Sequence, residues 1–286
     1  MRTANMVLAL CAAATFMGAS TQAVTIPTPA IEFTFVSGDY TNTGTLGGSG
    51  NIAIRDGGSV PSSTLSAAGV NPYAGNTTLQ SLLVPGIAGG VNERRIKSLN
   101  IADGGLFNVG HAGAATAMTL SFWVNPTALS GSLAARANDS GQGWILGIGA
   151  GDSRAGGLRF STADGNFDTS DTTPANQMTI NTWQFITLTW DSATGQADLY
   201  RNGVDLNVET WGGSVKASTD VAATFTVGTA GTYGAIDGNM SAVRVWDSAF
   251  TPSLVGELYV TEMVPEPTSL ALLGVCAMGA LRRRRA

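Results

Sequence analysis

The stretch Thr182-Trp-Gln-Phe-Ile-Thr-Leu-Thr-Trp-Asp191 decides the fold, because β-branched and aromatic residues fill it and its apolar residues alternate. Ile186, Leu188 and Trp190 share one face of the predicted strand. A turn follows, and a second strand then leads into Asn202-Gly203. This dipeptide is the strongest short signal for a β-hairpin, since a type I′ turn needs positive φ at both central positions. The sequence here predicts antiparallel strands joined by tight turns.

Further strands are predicted on both sides of this stretch. Residues 118–125 alternate, with Leu120, Phe122 and Val124 on one face, before Pro126 ends the strand. Two more strands are predicted over 223–228 and 240–246, and Thr251-Pro252 is typical of the start of a short helix that reaches Leu258 or Tyr259. Because no long helix separates the strands, the pattern favours an all-β, two-sheet antiparallel sandwich over a βαβ fold.

The order of these landmarks resembles the laminin-G-like, concanavalin A-like jelly-roll family over residues 118–259. The motifs that carry the resemblance are LSFWVNP (120–126), TWQFITLTWD (182–191), LYRNG (199–203), VGTA (227–230), GNMSAVRVWDSAFT (238–251) and ELY (257–259). The resemblance implies one jelly-roll sandwich over residues 24–262, opened by a strand at 31–35. Residues 51–113 match poorly. Gln184 and Phe185 stand where the family usually has two histidines, and Ser241 and Ala242 stand where it often has acidic residues.

The end of the chain, residues 263–286, resembles the PEP-CTERM sorting signal. A Pro-Glu-Pro motif precedes the short apolar run 268–281, which we expect to form a helix, and four arginines close the chain. The residues assigned to the motif are Val264, Pro265, Glu266, Pro267, Arg282, Arg283, Arg284 and Arg285. The resemblance implies an exosortase-type processing enzyme as partner and a transient association with the inner membrane of a bacterium. The apolar run has 14 residues, whereas a bilayer core needs about 20 in a helix, so the run makes a marginal permanent anchor.

The start of the chain has the three parts of a secretory signal peptide. Arg2 precedes an apolar run over residues 6–18, and small residues follow to Ala23. We therefore expect a signal helix in residues 1–23 that is removed on export, and a destination at the cell surface, the outer envelope or the extracellular matrix. Cys11 and Cys276 lie in these two terminal segments, so the body of the protein has neither thiol nor disulfide.

The composition of the body excludes several function classes. Without Arg2, Glu266 and the terminal arginines, it keeps 10 of the 15 basic and 19 of the 20 acidic residues, so nucleic acid is not an expected partner. His111 is the only histidine, which argues against a zinc site and against a histidine-based triad. Glucanases on this scaffold carry a Glu-x-Asp-x-Glu pattern on one strand, and the body has none. No catalytic residue is therefore predicted.

Calcium is the one cofactor that the sequence leaves open. Asp164, Asn166 and Asp168 place side-chain oxygens at alternate positions, as calcium loops do, although a simple turn explains the same residues. The family resemblance adds Asp39 and Asn42 as a second candidate pair.

Aromatic residues supply the candidates for ligand binding. Four of the six tryptophans lie in strand patterns typical of a core. Trp211 and Trp144 lie beside glycines, and together with Tyr233 they are the candidates for stacking on a sugar ring.

Three functions are compatible with the sequence. The favoured one is an exported, non-catalytic module that binds a glycan, an exopolysaccharide or a surface protein. The second is a structural spacer in the envelope, which the scarcity of polar site residues favours. The third is a glycan-cleaving enzyme, which would need a carboxylate pair brought together from separate strands.

Overall fold

The computed structural model describes the greater part of the region between the two terminal segments. The described residues are 24–35, 41–47, 52–55, 64–73, 76, 79–84, 95–98, 105–110, 114–137, 143–149, 156–162, 165–168, 176–206, 209–211, 225–228 and 234–263. The predicted signal helix in 1–23 and the predicted apolar helix in 268–281 lie outside them.

Strands dominate the described residues. They are β1 (Ile31–Phe33), β2 (Ile52–Arg55), β3 (Thr64–Leu65), β4 (Leu82–Val84), β5 (Arg95–Ser98), β6 (Ala117–Pro126), β7 (Gly131–Ala137), β8 (Gly143–Ile148), β9 (Leu158–Thr162), β10 (Gly165–Asp168), β11 (Gln184–Asp191), β12 (Gln196–Arg201), β13 (Val204–Asp205), β14 (Glu209–Trp211), β15 (Thr226–Val227) and β16 (Gly238–Trp246). One helix, α1 (Pro252–Met263), follows the last strand.

Two antiparallel sheets make up the sandwich. The larger, eight-stranded sheet has the order β13-β12-β11-β6-β16-β4-β3, and β1 pairs with β16 beside β4. The six-stranded sheet has the order β14-β10-β9-β8-β7-β15. Strands β2 and β5 form a separate pair. The predicted all-β, two-sheet antiparallel sandwich is therefore confirmed.

The main core lies between the two sheets, because alternate residues of both contribute to one buried cluster. Leu120, Phe122 and Val124 of β6 are fully buried there, as their alternation predicts. Ile186, Leu188 and Trp190 of β11 lie in the same cluster. Trp123 and Phe185, on the opposite face of these strands, belong to a second cluster on the outer side of the larger sheet.

The predicted hairpin at Asn202-Gly203 is confirmed. Both residues have positive φ, 52° and 75°, and Arg201 pairs with Val204 across the turn. The Asn202 side chain also ties the turn to β11, because its Oδ1 accepts a hydrogen bond from the Phe185 amide at 2.8 Å.

Several element boundaries differ from the predicted ones. The helix begins where predicted, with the Thr251 hydroxyl accepting a hydrogen bond from Leu254 N at 3.3 Å, but it continues to Met263 rather than ending near Tyr259. Of the strand predicted over 223–228, the described residues 225–228 contain β15, and the one predicted over 31–35 ends at Phe33. Within the described residues, no helix combines the length and apolar character needed to cross a membrane.

Candidate functional site

The outer face of the larger sheet is covered by the protein itself. Trp123 and Phe185 lie under Tyr259 of α1, with ring centroids 6.2 and 6.0 Å away. Val255 and Leu258 of the same helix are buried in this cluster. A large ligand therefore cannot reach the part of the face that α1 covers.

The outer face of the six-stranded sheet is different. Along β8 and β9, Trp144, Leu146 and Phe160 point inward and are fully buried. The alternate residues Ile145 and Arg159 are only partly buried. This face is therefore at least partly open to solvent where its residues are described.

Strand register aligns Ser161, Asn166 and Trp211 across this sheet. Asn166 is the Cα partner of Ser161 in β9 and of Trp211 in β14. Directly opposite residues of antiparallel strands have Cα atoms roughly 4.5 to 5.5 Å apart and share one face. The structure thus brings together two residues that the sequence suggested separately, Asn166 as a calcium candidate and Trp211 as a stacking candidate.

A second row of three residues runs beside the first. Asp168 is the Cα partner of Arg159 in β9 and of Glu209 in β14. We call the two rows together the β9–β10–β14 face; it comprises Arg159, Ser161, Asn166, Asp168, Glu209 and Trp211. Sequence reasoning allowed for a carboxylate pair from separate strands but could not name Asp168 and Glu209, because nothing local shows that β14 pairs with β10.

Arg159 lies on this face and is partly buried. Its Nε is shielded from water and has no hydrogen-bond partner in the described part of the chain. A donor left unsatisfied in this way costs about 1 to 3 kcal/mol. This shielded Nε is not itself open to a ligand, but the side chain as a whole is only partly buried and its guanidinium has further N–H donors. Arg159 is therefore a residue that sequence reasoning did not single out but the structure does.

Trp144 is not part of any binding surface, and the prediction for it was wrong. Its side chain is fully buried, and its indole nitrogen donates a hydrogen bond to the Phe107 carbonyl at 3.0 Å. Its ring packs against Phe160 and Phe225 at centroid distances of 6.2 and 6.0 Å. The glycines before it suggested a loop, but Trp144 is the second residue of β8 and faces inward.

Asn42 holds a loop rather than a cation, so its prediction as a calcium ligand was also wrong. Its Oδ1 accepts hydrogen bonds from Glu32 N at 2.8 Å and Gly44 N at 2.9 Å, and its Nδ2 donates to Gly47 O at 2.8 Å. The oxygen that would bind calcium is thus already occupied by two amide donors.

The other predicted site residues have different outcomes. Asp39, Asp164, Tyr233, His111 and the sorting-motif residues 264–267 and 282–285 lie outside the described residues. Asn166 and Asp168 remain predicted calcium candidates on β10. Among the described residues, no group of three or more histidine, cysteine, aspartate or glutamate side chains could hold a metal ion.

The departures from the family pattern have structural roles here. Gln184 is buried and fixes the loop before β11 by two hydrogen bonds. Its Nε2 donates to Thr179 O at 2.8 Å, and its Oε1 accepts from Thr179 N at 3.2 Å. Ser241 begins a β-bulge in β16 in which Ala242 has a φ of 50°. Both bulge residues are buried, so neither can present a ligand group to solvent.

Comparison with known families gives two matches. Residues 102–256, more than half of the chain, match the model of the concanavalin A-like lectin/glucanases superfamily. Residues 264–285 match the PEP-CTERM protein-sorting motif. No curated protein sequence gives a significant match to this chain.

Solved structures show the same fold at low sequence identity. Domain 4 of AbnA, an extracellular arabinanase of Geobacillus stearothermophilus solved in complex with arabinotriose, aligns with a TM-score of 0.53 and 16% identity, covering 81% of this chain and 98% of that domain. The binding domain of Paraclostridial Mosquitocidal Protein 1 gives 0.51 and 16%, over 81% of this chain and 52% of that one. The botulinum neurotoxin serotype D binding domain gives 0.51 and 14%, over 82% and 51%. The chain thus covers about half of each toxin binding domain.

Proposed function

This chain belongs to the concanavalin A-like lectin/glucanases superfamily, and we propose that it is an exported, non-catalytic module that binds carbohydrate through its β9–β10–β14 face. The sorting motif at residues 264–285 implies export and processing at a membrane. The proposal includes a final location, which is the cell surface or the extracellular matrix. It also includes an exosortase-type enzyme as partner.

The observation that carries the proposal is the contrast between the two outer faces. Helix α1 and its apolar cluster cover the part of the larger sheet around Trp123 and Phe185. The six-stranded sheet instead aligns an aromatic residue, Trp211, with Asn166 and Ser161, beside a row that contains Arg159. In the described part of the chain, this second face combines partly exposed positions, Arg159 and Ser161, with residue types that form hydrogen bonds.

The residue types on this face suit a sugar ring. A pyranose or furanose offers hydroxyl groups, which donate and accept hydrogen bonds, and apolar C–H groups, which pack on an aromatic ring. Arg159 supplies a donor, Asn166 supplies both a donor and an acceptor, and Trp211 supplies the ring. Domain 4 of AbnA, which has a similar fold, was solved in complex with arabinotriose, and that complex supports the proposal.

Binding to a panel of polysaccharides and oligosaccharides tests the proposal. The protein is applied with calcium and again with a chelator, beside the variants Trp211→Ala and Arg159→Ala. The control is Gln196→Ala, an exposed position on the larger sheet. We expect the two face variants to weaken binding at least several-fold and the control to bind like the wild type.

The outcomes of this experiment separate the alternatives. Calcium-dependent binding would indicate that a calcium ion at Asn166 and Asp168 takes part in ligand binding. Binding that none of the face variants weakens would place the site elsewhere. No binding to any glycan would overturn the proposal and leave a structural role or a protein partner.

A glycan-cleaving activity is the second candidate, because Asp168 and Glu209 are direct partners across β10 and β14. Retaining glycosidases use two carboxyl groups about 5 to 5.5 Å apart, which neighbouring strands can provide. Release of new reducing ends from a bound polysaccharide, lost in Glu209→Gln, would establish this activity. Binding without such release supports the non-catalytic module.

A further inference from the structure

The end of α1 is fixed to the body of the domain. Glu262, in its last turn, accepts a hydrogen bond from Arg244 Nη1 at 2.6 Å and another from the Tyr73 hydroxyl at 3.2 Å. Arg244 in turn binds Glu32 of β1 through Nε at 2.6 Å. Because both partners of Glu262 lie on other segments, the last turn has a defined position on the domain surface.

This fixed turn exposes two apolar side chains to solvent. Val260 and Met263 are each 54% exposed. They lie three residues apart, so they are neighbours on one face of the helix. A single exposed apolar residue is ordinary, but this pair lies next to the sorting motif, which begins at Val264.

The sequence after Met263 leaves little distance between this turn and the apolar run. Four residues, 264–267, separate Met263 from Thr268. A fully extended chain spans at most about 3.6 Å per residue, so Met263 lies within roughly 18 Å of the start of the apolar run. The headgroup region on one side of a bilayer is roughly 5 to 8 Å thick. The end of α1 is therefore close to the headgroups whenever the run is in the membrane.

The shortness of the apolar run brings the turn closer still. Its 14 residues would span about 21 Å as a helix, against a hydrocarbon thickness of about 30 Å. The arginines 282–285 stay at the cytoplasmic side because burying their charges in lipid is unfavourable. The helix is then too short for the hydrocarbon layer. Either the residues before Thr268 enter the lipid, or the bilayer becomes thinner locally. Both draw the end of α1 toward the lipid.

We propose that, before processing, Val260 and Met263 contact the lipid interface of the inner membrane, so that the last turn of α1 is the membrane-docking surface of the domain. Apolar side chains gain free energy on leaving water, and the fixed turn holds these two at the point of the chain where the sorting motif follows. The inference rests on the sorting motif and is independent of carbohydrate binding.

A fluorescent probe at single positions tests this surface. The full-length chain, with Cys11→Ser and Cys276→Ala, is reconstituted into phosphatidylethanolamine–phosphatidylglycerol vesicles that contain doxyl-labelled lipid. An NBD label is attached at Val260→Cys or Met263→Cys, and Ile180→Cys is the matched control. Ile180 is 45% exposed. It lies by the start of β16, since the next amide, Asn181 N, donates to Pro126 O and Pro126 pairs with Gly238, whereas the last turn of α1 is held by Arg244, six residues further along β16.

The expected result is a blue-shifted emission at positions 260 and 263, with quenching by doxyl lipid several-fold stronger than at position 180. Equal quenching at the three positions, or none, would overturn the proposal. A blue shift without lipid quenching would also overturn it, because it would show that another protein surface covers the turn. Urea unfolding of each labelled variant checks that the domain remains folded.

Discussion

Arg244 and Glu262 form an ion pair in which Nη1 lies 2.6 Å from Oε1, joining β16 to the last turn of α1. The exposed fractions of the two side chains are only 15% and 8%. Arg244 also pairs with Glu32, so one guanidinium connects the first strand, the last strand and the helix. Because the charge of Arg244 is shielded from water and held by two carboxylates, removing either carboxylate should destabilise the domain.

Glu262→Gln should therefore destabilise the domain. The variant keeps the shape of the side chain but loses the charge that faces Arg244, and a hydrogen bond to a charged group contributes about 1.5 to 3 kcal/mol. We expect the free energy of unfolding in urea to fall by about that amount. Glu257→Gln, on the same helix and more exposed, is the control and should change stability by less than about 0.5 kcal/mol. Equal losses in the two variants would contradict the assigned role of the pair.

Protonation of Glu32 should contribute to the loss of domain stability at low pH. Burial raises the pKa of this carboxyl, but hydrogen bonds from Thr43 and Arg244 and the charge of Arg244 together hold the pKa below its ordinary value of 4.5. A lowered pKa contributes stability that is present above the unfolded value and is lost as the pH falls through the folded value. The difference in unfolding free energy between wild type and Glu32→Gln should thus be largest at neutral pH and shrink below pH 4.5. Urea titrations across this range measure it, and a constant difference would refute the prediction.

The Asn202 turn offers a test of local backbone conformation. Asn202→Ala loses the hydrogen bond to Phe185 N and places an alanine at a φ of 52°, a left-handed conformation that asparagine adopts more readily than alanine. We expect a loss of about 2 to 3 kcal/mol in urea unfolding. Asn202→Gly is the matched control, because it loses the hydrogen bond but accepts the positive φ. If the glycine variant were the less stable of the two, the backbone argument would be wrong.

Much of the fold could be predicted because its signals are local. The alternation in β6 and β11 and the Asn-Gly turn depend on residues next to one another in the chain, and the structure confirms them. The end of α1 could not be predicted in this way. The helix continues to Met263 with Glu262 held by Arg244 and Tyr73, and Tyr73 lies 189 residues away from Glu262.

The candidate site was only partly predictable for the same reason. Trp211 and Asn166 were each suggested by local sequence, but nothing local shows that β14 pairs with β10. The Asp168–Glu209 pair depends on that same long-range pairing. Trp144 shows the opposite failure, since the glycines around it suggested a loop while the packing of β8 buries it.

The contrast between Trp144 and Trp211 gives the last prediction. Trp144→Ala removes a fully buried ring that contacts Phe160 and Phe225, and such truncations cost about 3 to 5 kcal/mol. We expect this variant to unfold at much lower urea concentration. Trp211→Ala should weaken glycan binding while changing the unfolding midpoint far less, because Trp211 ends the edge strand of its sheet. Measuring both properties in both variants distinguishes a core residue from a binding residue. A large loss of stability in Trp211→Ala would assign this tryptophan to the core as well, and would leave Arg159→Ala as the decisive test of the face.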